Sequence, residues 1–310
     1  MTKDGFGVII SFKRCPVPQL QDSLKSLVGI LSEEIGSRSI SEPEKLEEAA
    51  LYIESEFESA GLSALRQPYE AFGVQTSNIV ARTPDWTGNG PVLALGAHYD
   101  TVRGTPGADD NASGVAVLIE TARRIVQKAP EKGTNLLFVA FSTEEPPSFG
   151  TECMGSRIFA RRMKESEINL AGAIVLEMVG FFSDRVGSQH IPMGLGFLGF
   201  PDTGNFIALV GDRQSADLVE WTHAGFEESG SGLPAYKFVE PFEHTPMSDL
   251  IRLSDNASFW DTGMPAVMVT DTAFLRNSHY HKDTDTADTL DYRAMERLVI
   301  ALAHVMTTGG

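Results

Sequence analysis

Apolar residues recur along the chain in two rhythms. In one, Leu46, Ala49, Ala50, Ile53, Phe57 and Ala60 fall at helical spacing. Ser41 with Glu44 reads as a capping box for that helix, Pro43 suits its first turn, and Gly61 suits its stop. A less regular helix is expected before it, over about residues 19 to 35. Val115, Leu118, Ile119, Ala122 and Val126 form another helical stripe, and Met295, Leu298, Val299, Leu302 and Val305 a last one, over about residues 290 to 306. The second rhythm is the short unbroken apolar run, at 92–97, 136–141, 173–176, 206–210 and 266–269. Such runs read as strands covered on both faces. Helices alternating with buried strands predict an α/β fold, a mixed, largely parallel sheet sandwiched between helices.

No internal repeat, low-complexity tract or long linker breaks this pattern. One domain over residues 1–310 is expected, with 1–18 as an extension. The 310 residues are 42% hydrophobic and 22% charged, ordinary globular usage. The balance of 25 Lys and Arg against 42 Asp and Glu gives −17. No Lys/Arg cluster stands out, so a nucleic-acid partner is not expected. No stretch approaches the roughly 18 apolar residues of a membrane span, so no membrane partner is expected. Cys15 and Cys153 are too few and too far apart for a disulfide framework, and free thiols are expected. The apolar run at 7–12 is too short for a signal peptide core, and a cytoplasmic location is the expectation. Oligomeric state is not readable.

The acidity supplies carboxylates, and these collect at strand ends. His98 ends the 92–97 run and Asp100 follows two residues on. On a strand these point the same way, so His98 could bind a metal while Asp100 steadies its imidazole; taken alone, a plain polar strand end is the favoured reading, because His-x-Asp is common by chance. Asp109 and Asp110 sit in 107–114, a segment that would otherwise read as a helix-capping turn. A carboxylate there can give one oxygen to each of two cations. Glu144 and Glu145 follow the 136–141 run and repel each other unless something positive is near. One could bind metal and the other hold water as general base; a solvated loop is the alternative. Glu177 ends an apolar run and needs a partner if buried. Two of the seven histidines, His279 and His281, lie among acids and threonines. In open α/β sheets, ligands bind at the C-terminal rim of the strands; His98, Glu144, Glu145 and Glu177 lie at that rim and Asp110 in the loop leading from it, so their loops can converge. Two histidines and three carboxylates with a spare Glu suit two zinc ions, with cobalt or manganese as substitutes.

In this order the segments GAHYDT (96–101), PGADDNASG (106–114), AFSTEEPP (140–147), MGSR (154–157), LEMVGF (176–181), SDNASFW (254–260) and HYHKDTDTADTLDY (279–292) resemble the M28 family of metallopeptidases. That family contains bacterial zinc aminopeptidases and enzymes of the glutamate carboxypeptidase II type. The resemblance covers the chain from about residue 20 to its end. It implies the zinc exopeptidase fold and two Zn2+. It implies that His98 and Glu177 hold one ion, that His281 and Glu145 hold the other, and that Asp110 bridges them. It makes Glu144 the general base and Asp100 the acid that orients His98. Glu177 stands where the family often has Asp, and Asn256 where some relatives have His. His281 rather than His279 is favoured by its spacing to the following Asp-Thr.

The resemblance implies a peptide substrate and an aminopeptidase that releases N-terminal residues. Residues 182–253, rich in Gly and Phe, are expected to set specificity through some of Phe197, Phe200, Phe206, Phe226, Phe238 and Phe242, the others being core. Three alternatives stay open. One is a carboxypeptidase or dipeptidase, in which Arg103, Arg252 or Arg276 would meet a terminal carboxylate. The others are a one-zinc acyltransferase of the glutaminyl cyclase kind and a non-catalytic binding module.

Overall fold

The computed structural model describes residues 19–128, 135–166, 168–192, 199–240 and 246–308. Helix α1 (Leu20–Gly29) runs into a π-helical turn (Ile30–Ile35) and is followed by α2 (Pro43–Ser59) and a hairpin, β1 (Ser63–Ala71) with β2 (Val74–Arg82). Then come β3 (Val92–His98), α3 (Gly114–Gln127), β4 (Asn135–Phe141), α4 (Gly155–Glu165) and β5 (Leu170–Glu177). The chain continues through β6 (Ile207–Gly211), α5 (Ala216–Glu228), β7 (Ala235–Val239), α6 (Pro246–Leu250), α7 (Asn256–Asp261), β8 (Ala266–Thr270) and α8 (Tyr292–Thr308).

The eight strands form one sheet in the order β1-β2-β4-β3-β5-β8-β6-β7. Its centre, β4-β3-β5-β8, is parallel throughout, while β2 joins β4 and β6 joins β8 antiparallel. The mixed sheet expected from the pattern is what forms. All five apolar runs are strands, because each is buried on both faces. The strands without such runs lie at or near the two edges. β1, which contains Pro68, alternates exposed and half-buried residues, and β7 is half open to solvent. Edge strands need only one apolar face and tolerate proline.

Two apolar layers cover the sheet. One includes Leu24, Phe57, Leu118, Phe226 and Leu302, from α1, α2, α3, α5 and α8. The other centres on Phe141, Phe159 and Phe259, whose rings meet at 5.7–6.1 Å between β4, α4 and α7. The capping box expected at Ser41 does not form. Pro43 is already in the first turn, so the cap position falls on Glu42, and Ser41 pairs with the Ser39 hydroxyl at 2.6 Å. Gly61 does end α2, at φ +84°. Cys153 is a free thiol, and Cys15 lies outside the described residues. Among the described residues no helix is long and apolar enough to cross a membrane.

Candidate metal centre

Because β3, β4 and β5 run parallel and in register, with Ala97 level with Ala140 and Leu176, their C-terminal ends form one rim. His98 is the last residue of β3 and Glu177 the last of β5, while Glu144 and Glu145 follow β4 by three and four residues. Asp110 comes from the turn before α3, where its dihedrals and those of Asn111 leave the helical range. The chain turns sharply at this rim. Among the described residues, Thr143, Met178 and His281 are three of the six non-glycine residues with positive φ, and each is a site residue or adjoins one.

The side chains form two groups that share Asp110. His98 Nε2 lies 3.4 Å from Asp110 Oδ1 and 3.3 Å from Glu177 Oε2. His281 Nε2 lies 3.2 Å from Asp110 Oδ2 and 3.5 Å from Glu145 Oε2. Either group, His98–Asp110–Glu177 or Asp110–Glu145–His281, could hold a metal ion. The donor set fits zinc. Tetrahedral ligand atoms about 2.0–2.1 Å from an ion stand about 3.3 Å apart, which matches these separations. His98 is 1% exposed, yet neither ring nitrogen has a hydrogen-bond partner. A buried polar group left in that state calls for an ion or another partner. Glu144, also buried, belongs to neither group. His279 instead meets Thr284 at 2.9 Å and packs against Phe181.

The charges act strongly on one another. Burial disfavours protonated His98, but Asp100, Asp110 and Glu177 outweigh it and hold the imidazole well above its usual range. Burial likewise opposes His281 protonation, yet Asp110 and Glu145 push its pKa up to about 10. Despite burial, the two imidazoles hold the Asp110 carboxyl below its usual range. Burial and then Asp110 push Glu145 up to about 8, while burial holds Glu144 well above normal with Glu145 adding to the effect. A cluster so crowded with carboxylates retains protons unless cations replace them.

The frame behind these groups was only partly visible in the sequence. Asp100 lies 3.4 Å from His98 Nδ1, and it also accepts the amides of Glu144 at 2.9 Å and Glu145 at 3.1 Å. Arg38 is fully buried and donates to the carbonyls of Leu31, Gly36, Tyr99, Pro106 and Gly107 at 2.6–3.1 Å. It thereby fastens the loop between Asp100 and Asp110. Asp255 is fully buried beside the cluster, and burial pushes its carboxyl up to about 7. Ser254 donates to Glu177 at 2.7 Å. Two motif glycines have steric reasons. A Cβ on Gly155 would fall on the Ser142 backbone and the Asn78 amide, and one on Gly107, at φ +61°, on Thr101 and the Asp110 carbonyl.

An apolar pocket opens beside Glu177. Phe200, Phe206, Phe238, Ile251 and Met268 line it, with Ala208 and Val210 on β6. Its other wall is the 272–280 segment, including Phe274 and Tyr280, which lies outside the segment expected to set specificity. Phe226 is core, and Phe197 and Phe242 lie outside the described residues. Arg276 stacks on Phe206 at 4.6 Å and donates to Gln189 and the Phe206 carbonyl. Arg252 pairs with Asp261.

Residues 78–306 match the family described as Peptidase family M28. The chain belongs to peptidase family M28. Its relatives include the uncharacterized protein YfbL of Escherichia coli (strain K12), 38% identical over 287 residues, covering 90% of this chain and 85% of that one. Aminopeptidase YwaD of Bacillus subtilis (strain 168) is 28% identical over 198 residues, covering 60% of this chain and 42% of its own. The fold is that of the LapA aminopeptidase of Legionella pneumophila, with TM-score 0.72 and 18% identity over 92% of this chain and 70% of that one. It is also that of a glutaminyl cyclase of Bacteroides thetaiotaomicron, with TM-score 0.69 and 18% identity over 95% of this chain and 100% of that one.

Proposed function

We propose that this M28 chain is a two-zinc aminopeptidase that prefers a large apolar residue at the substrate's N-terminus. The observation that carries the reading is the pair of His–carboxylate groups sharing the two oxygens of Asp110. His98, Asp110 and Glu177 would hold one zinc, and Asp110, Glu145 and His281 the other. Zinc there supplies a Lewis acid for the scissile carbonyl and makes water acidic enough to lose a proton near neutral pH.

Glu144 is the base. It lies outside both ligand groups, its amide is pinned by Asp100, and burial holds its carboxyl well above the usual range. It can therefore take a proton from water as the C–O bond forms and keep it until the C–N bond breaks. The proton then goes to the leaving amine, which departs neutral.

The apolar pocket takes the substrate's first side chain, since it begins at Glu177. Two of the three arginines that a carboxypeptidase could use are engaged elsewhere, Arg276 with Gln189 and backbone and Arg252 with Asp261, while Arg103 is exposed in the loop after β3 and does not line the pocket. Among the described residues the pocket carries no Lys or Arg. Both histidines and both neighbouring acids are in place, which favours this reading over a one-zinc cyclase.

The test is hydrolysis of aminoacyl-p-nitroanilides with chelator, zinc add-back and a Glu144→Ala variant, alongside peptides blocked at either end. Chelator-sensitive, zinc-restored release from free-amine substrates is expected. Cleavage only of peptides with a free C-terminus would replace the reading with a carboxypeptidase. One bound zinc with N-terminal cyclisation would replace it with a cyclase.

A further inference from the structure

Two carboxylates outside the ligand groups hold the backbone of residues inside them, and both do it the same way. Asp100 gives one oxygen to the Glu144 amide and the other to the Glu145 amide, at 2.9 and 3.1 Å. Asp285 gives Oδ1 to the Asp109 amide at 2.9 Å and Oδ2 to the Asp110 amide at 3.1 Å. In each case the second amide belongs to a residue of the His281 group. Bonds to a charged acceptor are among the stronger hydrogen bonds, and a pair on successive amides fixes orientation as well as position.

Asp285 has a further reach. Its carbonyl accepts the Ala108 amide at 3.2 Å, and its own amide donates to the Lys282 carbonyl at 3.1 Å. Lys282 follows His281 directly. One residue, itself 1% exposed, therefore ties the turn that carries His281 to the loop that carries Asp110. That loop needs an external anchor. Asp110 and Asn111 have non-helical dihedrals, so their backbone is not held by a helical ladder. Without the clamp, Asp110 could rotate its carboxylate away from the line between His98 and His281.

We propose that Asp285 is a positioning residue of the metal centre, which sets the zinc affinity of the Asp110–Glu145–His281 group by fixing the backbone of Asp110 against the His281 turn. This rests on the two-zinc reading above. Removing a partner that orients a ligand typically lowers metal affinity about 10–100-fold.

The experiment measures zinc content and affinity, by competition with a chromogenic chelator, for the wild-type protein, Asp285→Asn, Asp285→Glu and Asp288→Asn. Asp288 lies in the same turn but is exposed and bonds only to Thr286 among the contacts described. Melting temperatures with and without zinc are taken on the same samples. In the wild type two zinc equivalents are expected. In Asp285→Asn the zinc of the His281 group, whose Asp110 loop and His281 turn both rest on Asp285, should weaken about 10–100-fold, and the His98 zinc, which shares Asp110, by less. The zinc-induced rise in melting temperature should shrink with it. Asp288→Asn should match the wild type, and in a His281→Ala background Asp285→Asn should weaken zinc binding less than it does with His281 present.

An Asp285→Asn protein that melts earlier without metal, yet binds both zincs as the wild type does, would make the clamp merely structural and overturn the proposal. If Asp285→Asn does not fold, Asp285→Glu carries the test, because it keeps the charge but displaces the oxygens by one methylene. Unchanged zinc affinity in it would likewise overturn the proposal. A wild-type protein that binds fewer than two zincs defeats the two-zinc reading in its own arm, and this inference with it.

Discussion

The rim of the sheet has two unlike halves. At the ends of β3, β4 and β5, buried acids and two histidines crowd together, and the amides of Asp109, Asp110, Glu144 and Glu145 are each held by a carboxylate. Beyond Glu177, along one face of β6 and β8, lies a pocket whose walls are mostly carbon. The first half has little freedom to vary. A carboxylate displaced by an ångström loses its place at an ion, so specific residues at specific spacings are required. The second half needs only apolar volume of about the right shape, which many side chains supply. On the proposed reading, reactivity is confined to a few positions, while selectivity is spread over many.

The largest effect expected is from chelation. Stripping metal from the acidic half should abolish peptidase activity and zinc should restore it, read as p-nitroaniline release. Activity that survives full metal removal would break the assignment of that half. Next is Glu144→Ala, which should lower kcat by about 10²–10⁴-fold while zinc content and KM change little. A matching loss of zinc would instead make Glu144 part of the ligand frame.

The pocket half should respond differently. Ala208→Leu on β6 should shorten the pocket and shift the leucyl to alanyl ratio of kcat/KM by about 10–200-fold toward alanine. A parallel fall for both substrates would show that the first side chain binds elsewhere. Back in the acidic half, Gly155→Ala should cost about 1–3 kcal/mol of stability, because its Cβ meets the Ser142 backbone and the Asn78 amide. Denaturant unfolding reads this, and a neutral result would mean that the frame behind Glu144 yields more than its packing suggests.

The smallest effect is on pH. In the metal-free protein Glu145 is raised to about 8 and His281 to about 10. Both bind protons more tightly when folded than when unfolded. Their contribution to stability is therefore full below their ordinary pKa values and is lost as pH rises through those raised ones. Zinc replaces those protons, so its binding tightens with pH. The gap between zinc-loaded and metal-free melting temperatures should widen from pH 6 to pH 9. A gap that narrows would show that the two groups do not titrate with the metal.

Legibility followed the same division. The five apolar runs were readable as strands because each is buried on both sides. β1 and β7 were not, because an edge strand with one wet face carries polar residues such as Arg66, Gln67 and Lys237. The residues now grouped at the rim stood out as acids and histidines placed where apolar runs end. Arg38 gave no comparable signal. It sits in the ordinary-looking stretch before α2, far in sequence from the carbonyls at 99, 106 and 107 that it holds. The far wall of the pocket, at 272–280, escaped notice for the same reason: nothing local marks Phe274 or Tyr280 as facing Phe206 across a cavity.

Periodicity by itself determined the α/β architecture, and the ordered motifs determined the family and the candidate residues proposed to carry its chemistry, since both are written in local spacing and residue type. Only the tertiary structure decided that Asp100 and Asp285 each grip two successive amides, that a buried arginine fastens the loop between His98 and Asp110, and that the pocket has a wall from each side of the chain. Those are contacts between segments tens to hundreds of residues apart. Hydrogen-bond direction and side-chain packing at such distances depend on how the sheet brings its strands into register, which no local pattern encodes.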